Sequence, residues 1–324
     1  MRVGAIDIGS NSIRLLVADL VDGNGPLTSI AWAGEACRLG RGLDGTGRID
    51  PAIAERAAAL TADFVRRARS LGARRLVIGA TAALRRASNG SEVAEVIARR
   101  SGMPIRILSG EDEARLVYEA VVGGLGSAGR RSACVAFDLG GGSTEVVSGV
   151  GLQPGRWTSL HFGAVTLTEK FLSASPPPRS EVDALTAHVD DLLMHECAFM
   201  PATAPVLAGV GGTVTVLAAL DRGMTVYEPS LLDGWSIAAE RLEALIERVV
   251  GSSEEERARW SVLGHGRSDI VAAGALVVRC LARRFRAPAL ICSTQGLRYG
   301  LARLAAHDGV EIESLTSREA LPGD

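Results

Sequence analysis

Lysine is almost missing from this chain of 324 residues: Lys170 stands alone among 35 basic side chains. A P-loop needs a Gly-Lys-Ser/Thr step, so that a lysine reaches the phosphates. Lys170 follows Glu169, which excludes that loop and argues against lysine Schiff-base chemistry. Cysteine is sparse. Cys37, Cys134, Cys197, Cys280 and Cys292 form no C-x-x-C pair and read as reduced residues, mostly in the core, of a cytoplasmic protein. His195 and Cys197, two residues apart on a predicted helix, face different ways and make a poor metal pair. The formal net charge is only -2, so no overall basic field draws in nucleic acid. No apolar run approaches the ~20 residues a bilayer requires; "IVAAGALVV" is too short, and Asp7 interrupts the early run that could pass for a signal peptide. The expectation is a cytoplasmic protein with no membrane and no nucleic-acid partner.

What is present is a two-domain α/β pattern. Hydrophobic residues make up 47% and charged residues 22%, a globular composition. Residues 3–8 and 13–20 read as strands joined by a tight turn, and "LTSIAWAGEACRLG" as a third strand. Helices follow from Asp50-Pro51 to about Ser70, in "TAALRRA", in "SEVAEVIARRSG" and in "SGEDEARLVYEAVVGG", with strands "RRLVIGA" and "IRIL" among them. This order predicts a mixed sheet with helices on its faces. The pattern then restarts. Setting "AIDIGSNSIRLL" over "AFDLGGGSTEVV" aligns Asp7 with Asp138, Gly9 with Gly140, Ser12 with Ser143 and Arg14 with Glu145, a short internal repeat with a period near half the chain. The expected division is an N-terminal domain over 1–122, a C-terminal domain over 123–308 and a tail over 309–324. "GGLGSAG" at 123–129 has G-x-G-x-x-G spacing, but it follows a helix and precedes a strand, so it reads as a link and not a dinucleotide loop.

Three turns of small residues could hold phosphate through inward-pointing backbone N–H groups: Gly9, Ser10, Asn11 and Ser12; Gly140, Gly141, Gly142 and Ser143; and the turn of Gly211 and Gly212, which opens a helix. Each by itself reads as a plain turn; the three together, two of them preceded by Asp, are more specific. Asp7 and Asp138 precede the first two and are expected to face each other across a cleft. Two carboxylates beside phosphate oxygens invite Mg2+, which takes few protein ligands. The alternative is that each aspartate accepts hydrogen bonds from its own turn.

The ordered set "DIGSNSIRLL", "ATAALRRASN", "SGEDEARL", "DLGGGSTEV", "AGVGGTVTVLA", "GRSDIVAAGALV" and "STQGLRYGL" resembles the exopolyphosphatase/guanosine pentaphosphate phosphatase family and covers nearly the whole chain. That family belongs to the actin-like ATPase superfamily, so the resemblance implies two actin-like (ribonuclease H-like) domains flanking a central cleft. It implies Mg2+ at Asp7, Asp138 and Glu145. Glu113 matches the family's general base for water, Glu145 lies near metal and water, and Arg85 matches an arginine on the substrate phosphate. Read without the resemblance, Glu145 is equally an outward strand residue and Arg86 a solvent-facing one. Ser109 and Asp112 form a capping box that explains those polar groups structurally. Arg267 is a weaker phosphate candidate, equally a helix-terminal ion-pair partner.

The resemblance implies release of orthophosphate from the end of inorganic polyphosphate, with guanosine pentaphosphate hydrolysis as the near alternative. With 4% aromatic residues, no stacking partner for a guanine base stands out. A kinase on the same fold and a non-catalytic alarmone sensor are the other readings; Glu113 favours catalysis over the sensor. The sequence departs from the family pattern where acids are usual and Thr294 and Tyr299 stand. It also stops where longer relatives continue into a helical region, which favours shorter polyphosphate chains. A homodimer is expected from the resemblance.

Overall fold

The structure is a computed structural model that describes residues 1–21, 27–125, 132–263 and 266–311. The chain divides into two compact units, Met1–Ser109 with Leu297–Asp324, and Gly110–Gly296. Most of the "GGLGSAG" link and most of the expected tail lie outside the described residues.

The first unit opens with a meander of β1 (Arg2–Ile8), β2 (Ser12–Leu20) and β3 (Leu27–Ala36), followed by α1 (Leu43–Thr46) and α2 (Pro51–Ser70). Asp50 starts α2 by accepting the Ala52 N–H at 2.7 Å, with Pro51 in the first turn, where a missing N–H costs nothing. Then come β4 (Arg75–Ala80), α3 (Ala82–Arg86), α4 (Gly90–Ser101) and β5 (Ile105–Ile107). Gly102 closes α4 in the left-handed conformation, at φ 69°. The sheet is mixed: β1 runs antiparallel to β2 and parallel to β4, while β5 pairs with β4. Ile6, Ile8, Ile13, Leu15 and Val17 project from it into a core completed by Ala57, Phe64 and Val65 of α2.

The second unit begins with α5 (Gly110–Gly124) and repeats the meander as β6 (Ala133–Leu139), β7 (Thr144–Val150) and β8 (Gln153–Leu160). It continues through α6 (Ala164–Phe171), α7 (Arg179–Glu196), β9 (Val206–Val210), α8 (Gly212–Asp221), α9 (Pro229–Leu232) and β10 (Ser236–Ala238). The rest is α10 (Ala239–Gly251), α11 (Glu254–Ala258), α12 (Val271–Arg284) and β11 (Ala289–Cys292). Its sheet order is β10-β11-β9-β6-β7-β8. Val182, Leu185, Val189 and Leu193 of α7 are buried in the core of this unit, Leu192 packs partly buried against it, and α7 lies against α12.

Two helices sit on sheets that chain order alone would not assign to them. α5 packs on β6, β7 and β8 of the second unit, although the expected division at 122/123 grouped it with the first. The last helix, α13 (Leu297–Asp308), packs on β1, β2 and β4. Arg75 Nη1 holds its end by donating to the Ala306 carbonyl at 2.8 Å, and the short strand β12 (Val310–Glu311) pairs with β4. The chain is thus α/β, with a six-stranded mixed sheet in each unit. Among the described residues, no helix is long and apolar enough to cross a membrane.

Candidate active site

In the first unit the β1–β2 turn is closed by the Gly9 N–H donating to the Ser12 carbonyl at 3.0 Å. Its outer carbonyls are also taken. Asn11 O accepts from the N–H groups of Cys37 at 2.9 Å and Arg38 at 2.8 Å, and Ser10 O accepts from Gly40 at 2.8 Å. The backbone N–H groups of Ser10 and Asn11 donate to no acceptor among the described residues. A turn with its acceptors used and its donors spare suits an anion, which has acceptors only.

Asp7 lies opposite Arg14 on β2 and beside Gly79 on β4. It is only 7% exposed, and its Oδ1 is buried with no hydrogen-bond partner among the described residues. This rules out the reading in which turn N–H groups satisfy that oxygen. Burial pushes the Asp7 carboxyl above the usual carboxylate range, against the opposing pull of Arg14 and Arg298. Arg85 lies in the last turn of α3, half-buried, its Nη1 donating to the Leu108 carbonyl at 3.0 Å. Thr81 leads into the same helix, and its N–H bonds Ile8 O at 3.2 Å, tying the start of α3 to the end of β1.

The second unit repeats the device. Gly140 N–H donates to Ser143 O at 3.0 Å, while Gly140 O accepts from Ala164 at 3.0 Å and Gly141 O from Val165 at 2.9 Å, both in the first turn of α6. Gly163 allows this approach: a Cβ there would meet Gly140 O at 2.5 Å. Asp138, half-buried, lies opposite Glu145 and beside Val210. Glu145 is 1% exposed, and its Oε1 accepts the Ser159 hydroxyl at 2.8 Å. The outward-facing reading of Glu145 is therefore wrong; its strand is covered on both faces. Ser159 stands opposite Glu145 on β8, and the ideal Cβ position of Gly110 is 3.1 Å from the Ser159 Cβ. The start of α5 is thereby set beside the Glu145 hydroxyl partner, and Glu113, in the first turn of α5, is 5% exposed.

The third turn obeys the same logic. Gly211 has φ 116°, and a Cβ there would meet Leu139 O at 2.5 Å, so no other residue fits. Arg267 brings its Cζ to 3.1 Å from the ideal Cβ position of Gly212, which places its guanidinium at the opening of α8. The structure thus gathers Glu113, Asp138, Gly140–Ser143, Glu145, Gly211, Gly212 and Arg267 in the second unit, and Asp7, Gly9–Ser12 and Arg85 in the first.

Three contributors were not singled out from sequence: Ser159, Thr81 and Asp233. The carboxylate of Asp233 accepts from Thr294 N–H at 2.8 Å and from the Gln295 side chain at 2.9 Å. It fixes the loop before Gly296, whose ideal Cβ position is 3.8 Å from Asp138 Oδ2. An acid thus reaches Thr294 from a distant segment. No spacing rule could have paired them.

No group of three or more His, Cys, Asp or Glu side chains able to hold a metal occurs among the described residues. Mg2+ binds through one or two carboxylates and keeps several waters; each unit, taken by itself, offers donors of that kind, the partnerless buried oxygen of Asp7 in the first and the opposed Asp138 and Glu145 in the second.

The sequence pattern of the Ppx/GppA phosphatase family matches residues 16–306. Exopolyphosphatase 2 of Mycobacterium tuberculosis is 36% identical over 294 residues, covering 88% of this chain and 91% of that protein. Exopolyphosphatase 1 of Mycobacterium bovis is 33% identical over 307 residues, covering 93% and 87%. The crystal structure of the Aquifex aeolicus Ppx/GppA family member superposes with a TM-score of 0.79 at 29% identity, covering 99% of each chain. Two mixed sheets, a repeated aspartate hairpin and a match over nearly the whole length together establish that this chain belongs to the Ppx/GppA phosphatase family, enzymes of actin-like architecture.

Proposed function

We propose that this enzyme is an exopolyphosphatase that hydrolyses the terminal phosphoanhydride of inorganic polyphosphate and releases orthophosphate. The observation that carries the reading is the first hairpin turn, entered by Asp7, whose carbonyls are occupied while the Ser10 and Asn11 N–H groups find no acceptor among the described residues, in a hairpin whose form is repeated at Asp138. Backbone donors of this kind hold phosphate oxygens without selecting a base or sugar, as a homopolymer of phosphate requires. The two mycobacterial exopolyphosphatases support the same substrate.

In the reaction, a water oxygen attacks the terminal phosphorus and the bridging P–O bond breaks. The shortened polyphosphate leaves with the bond's electrons. Glu113 orients that water and takes its proton, and Glu145, fixed by Ser159, assists beside it. Ser10, Asn11, Gly141, Arg85 and Arg267 bind phosphate oxygens, the arginines through their planar forks. The carboxylates that would serve as Mg2+ ligands are Asp7 in the first unit and Asp138 and Glu145 in the second, and bound Mg2+ would supply charge neutralisation at the phosphates. The protein works in the cytoplasm, where its buried thiols stay reduced.

The test is orthophosphate release from short and long polyphosphate, guanosine pentaphosphate and ATP, with and without Mg2+, for the wild type and Glu113→Gln. Metal-dependent release from polyphosphate that falls about 10²–10⁴-fold in the variant is expected for a lost general base. Release chiefly from guanosine pentaphosphate would replace the substrate. A wild-type rate from polyphosphate no higher than that of Glu113→Gln would sink the reading.

A further inference from the structure

Two non-glycine residues among those described have left-handed backbones, Arg38 at φ 56° and Arg286 at φ 44°. Such a backbone is unfavourable for a side chain with a Cβ and persists only where its surroundings impose it. Arg286 is accounted for by its place. It follows α12, its N–H bonds Arg283 O at 3.1 Å, and the next N–H bonds Ala282 O at 3.1 Å. That is the usual helix stop, with an arginine where glycine is common. Arg38 has no helix before it. It follows β3, and its N–H donates to Asn11 O at 2.8 Å, at the tip of the turn whose N–H groups are spare.

Resting on the proposed phosphate role of that turn, we infer that Arg38 is a further substrate-binding residue, its guanidinium contacting the phosphate chain held by Ser10 and Asn11. The segment 37–40 bonds the turn three times, through Cys37, Arg38 and Gly40, so the Arg38 Cα is fixed relative to the turn. The side chain is half-buried. A glycine at this position would keep all three backbone bonds and relieve the strained φ. The sequence carries arginine instead, at the one strained position beside an anion-binding turn, and a guanidinium is the side chain that binds phosphate oxygens in pairs. The neighbouring Asp7 carboxylate makes the need concrete. A phosphate chain near that acid requires compensating positive charge besides any cation.

The experiment compares Arg38→Gly, Arg38→Asn and Arg286→Gly in the wild-type background. Asparagine tolerates the left-handed backbone, so Arg38→Asn removes the charge and leaves the turn. KM for polyphosphate and the Kd for tripolyphosphate, by calorimetry, should each rise about tenfold or more in both Arg38 variants, the loss expected for a contact to a charged group. Their Tm should not fall, and kcat should stay within about twofold, since uniform binding is what is lost. Arg286→Gly should raise Tm and leave KM unchanged. Unchanged KM and Kd in both Arg38 variants overturn the inference, and Arg38 is then a strained turn residue like Arg286. The calorimetric arm reads phosphate binding without turnover. A wild type that binds tripolyphosphate but releases no orthophosphate overturns the hydrolase reading while the Arg38 result still stands.

Discussion

The two hairpins are built alike and charged differently. Each has an aspartate at the end of its first strand, a four-residue turn closed by a 3.0 Å bond from glycine to serine, and a returning segment that occupies the turn carbonyls. Across the ladder, though, Asp7 faces Arg14 while Asp138 faces Glu145. Directly opposed residues on one face of an antiparallel pair lie about 4.5–5.5 Å apart at Cβ, and like charges there are destabilising. The first unit therefore sets its acid opposite a base, and the second sets its acid opposite another acid. The same scaffold thus carries different side chains opposite its aspartate in the two units. Covering the repeat with different partners explains part of this. The return segment of the first unit is the irregular strap 37–40, and that of the second is the start of α6.

The largest effect should come from levelling the second hairpin. Glu145→Gln removes the second acid, and the rate on polyphosphate should fall by about two orders of magnitude, with more Mg2+ needed for half-maximal activity. A variant with wild-type rate and metal dependence would show that the acid pair is not the metal side of the site.

Asp7→Asn tests the first hairpin through stability as well as activity. The Asp7 carboxyl is raised in the folded state, so folding favours its protonated form. Its contribution is fully present below the unfolded value near 4 and is lost as pH rises through the raised folded value. Asparagine avoids that loss. In chelator-treated protein, Asp7→Asn should raise Tm at pH 7 by about 2–4 °C, on the scale of ~1 kcal/mol for a chain of this class. The gain should fade toward pH 4, while polyphosphate turnover falls at neutral pH. A Tm difference that grows on acidification would contradict the assignment of cost to the buried charge.

The smallest effect belongs to Ser159→Ala, which removes the hydroxyl bonded to Glu145 and leaves the carboxylate in place. A several-fold lower kcat is expected, with an altered pH profile as the readout a merely structural hydroxyl would not move. Stability should drop by about 1 kcal/mol, the usual net worth of such a bond.

Much of the local structure was legible because short-range physics dictates it. Asp50-Pro51 opens a helix, Gly102 ends one, and the Gly-Ser-Asn-Ser and Gly-Gly-Gly-Ser steps make tight turns between apolar strands. The equivalence of Asp7 and Asp138 was visible as a repeated pattern, and the hairpin registers reproduce that pairing. Glu145 was ambiguous because the residue alternates with Thr144 and Val146 along a strand whose two faces are both buried. Periodicity separates faces only when one of them is wet.

The sequence by itself determined the element types, the two hairpins and the kinds of side chain at their turns, since these depend on residues a few positions apart. Tertiary structure decided which sheet α5 and α13 cover, that Ser159 bonds Glu145, that Asp233 holds the 293–295 loop, and that segment 37–40 straps the first turn and forces Arg38 left-handed. These are contacts between segments far apart in the chain, or a conformation that such contacts impose. An apolar helix stripe specifies that a face must be buried, not which partner buries it. Likewise, a hydroxyl or carboxylate acquires its role only when packing brings its partner within hydrogen-bonding distance.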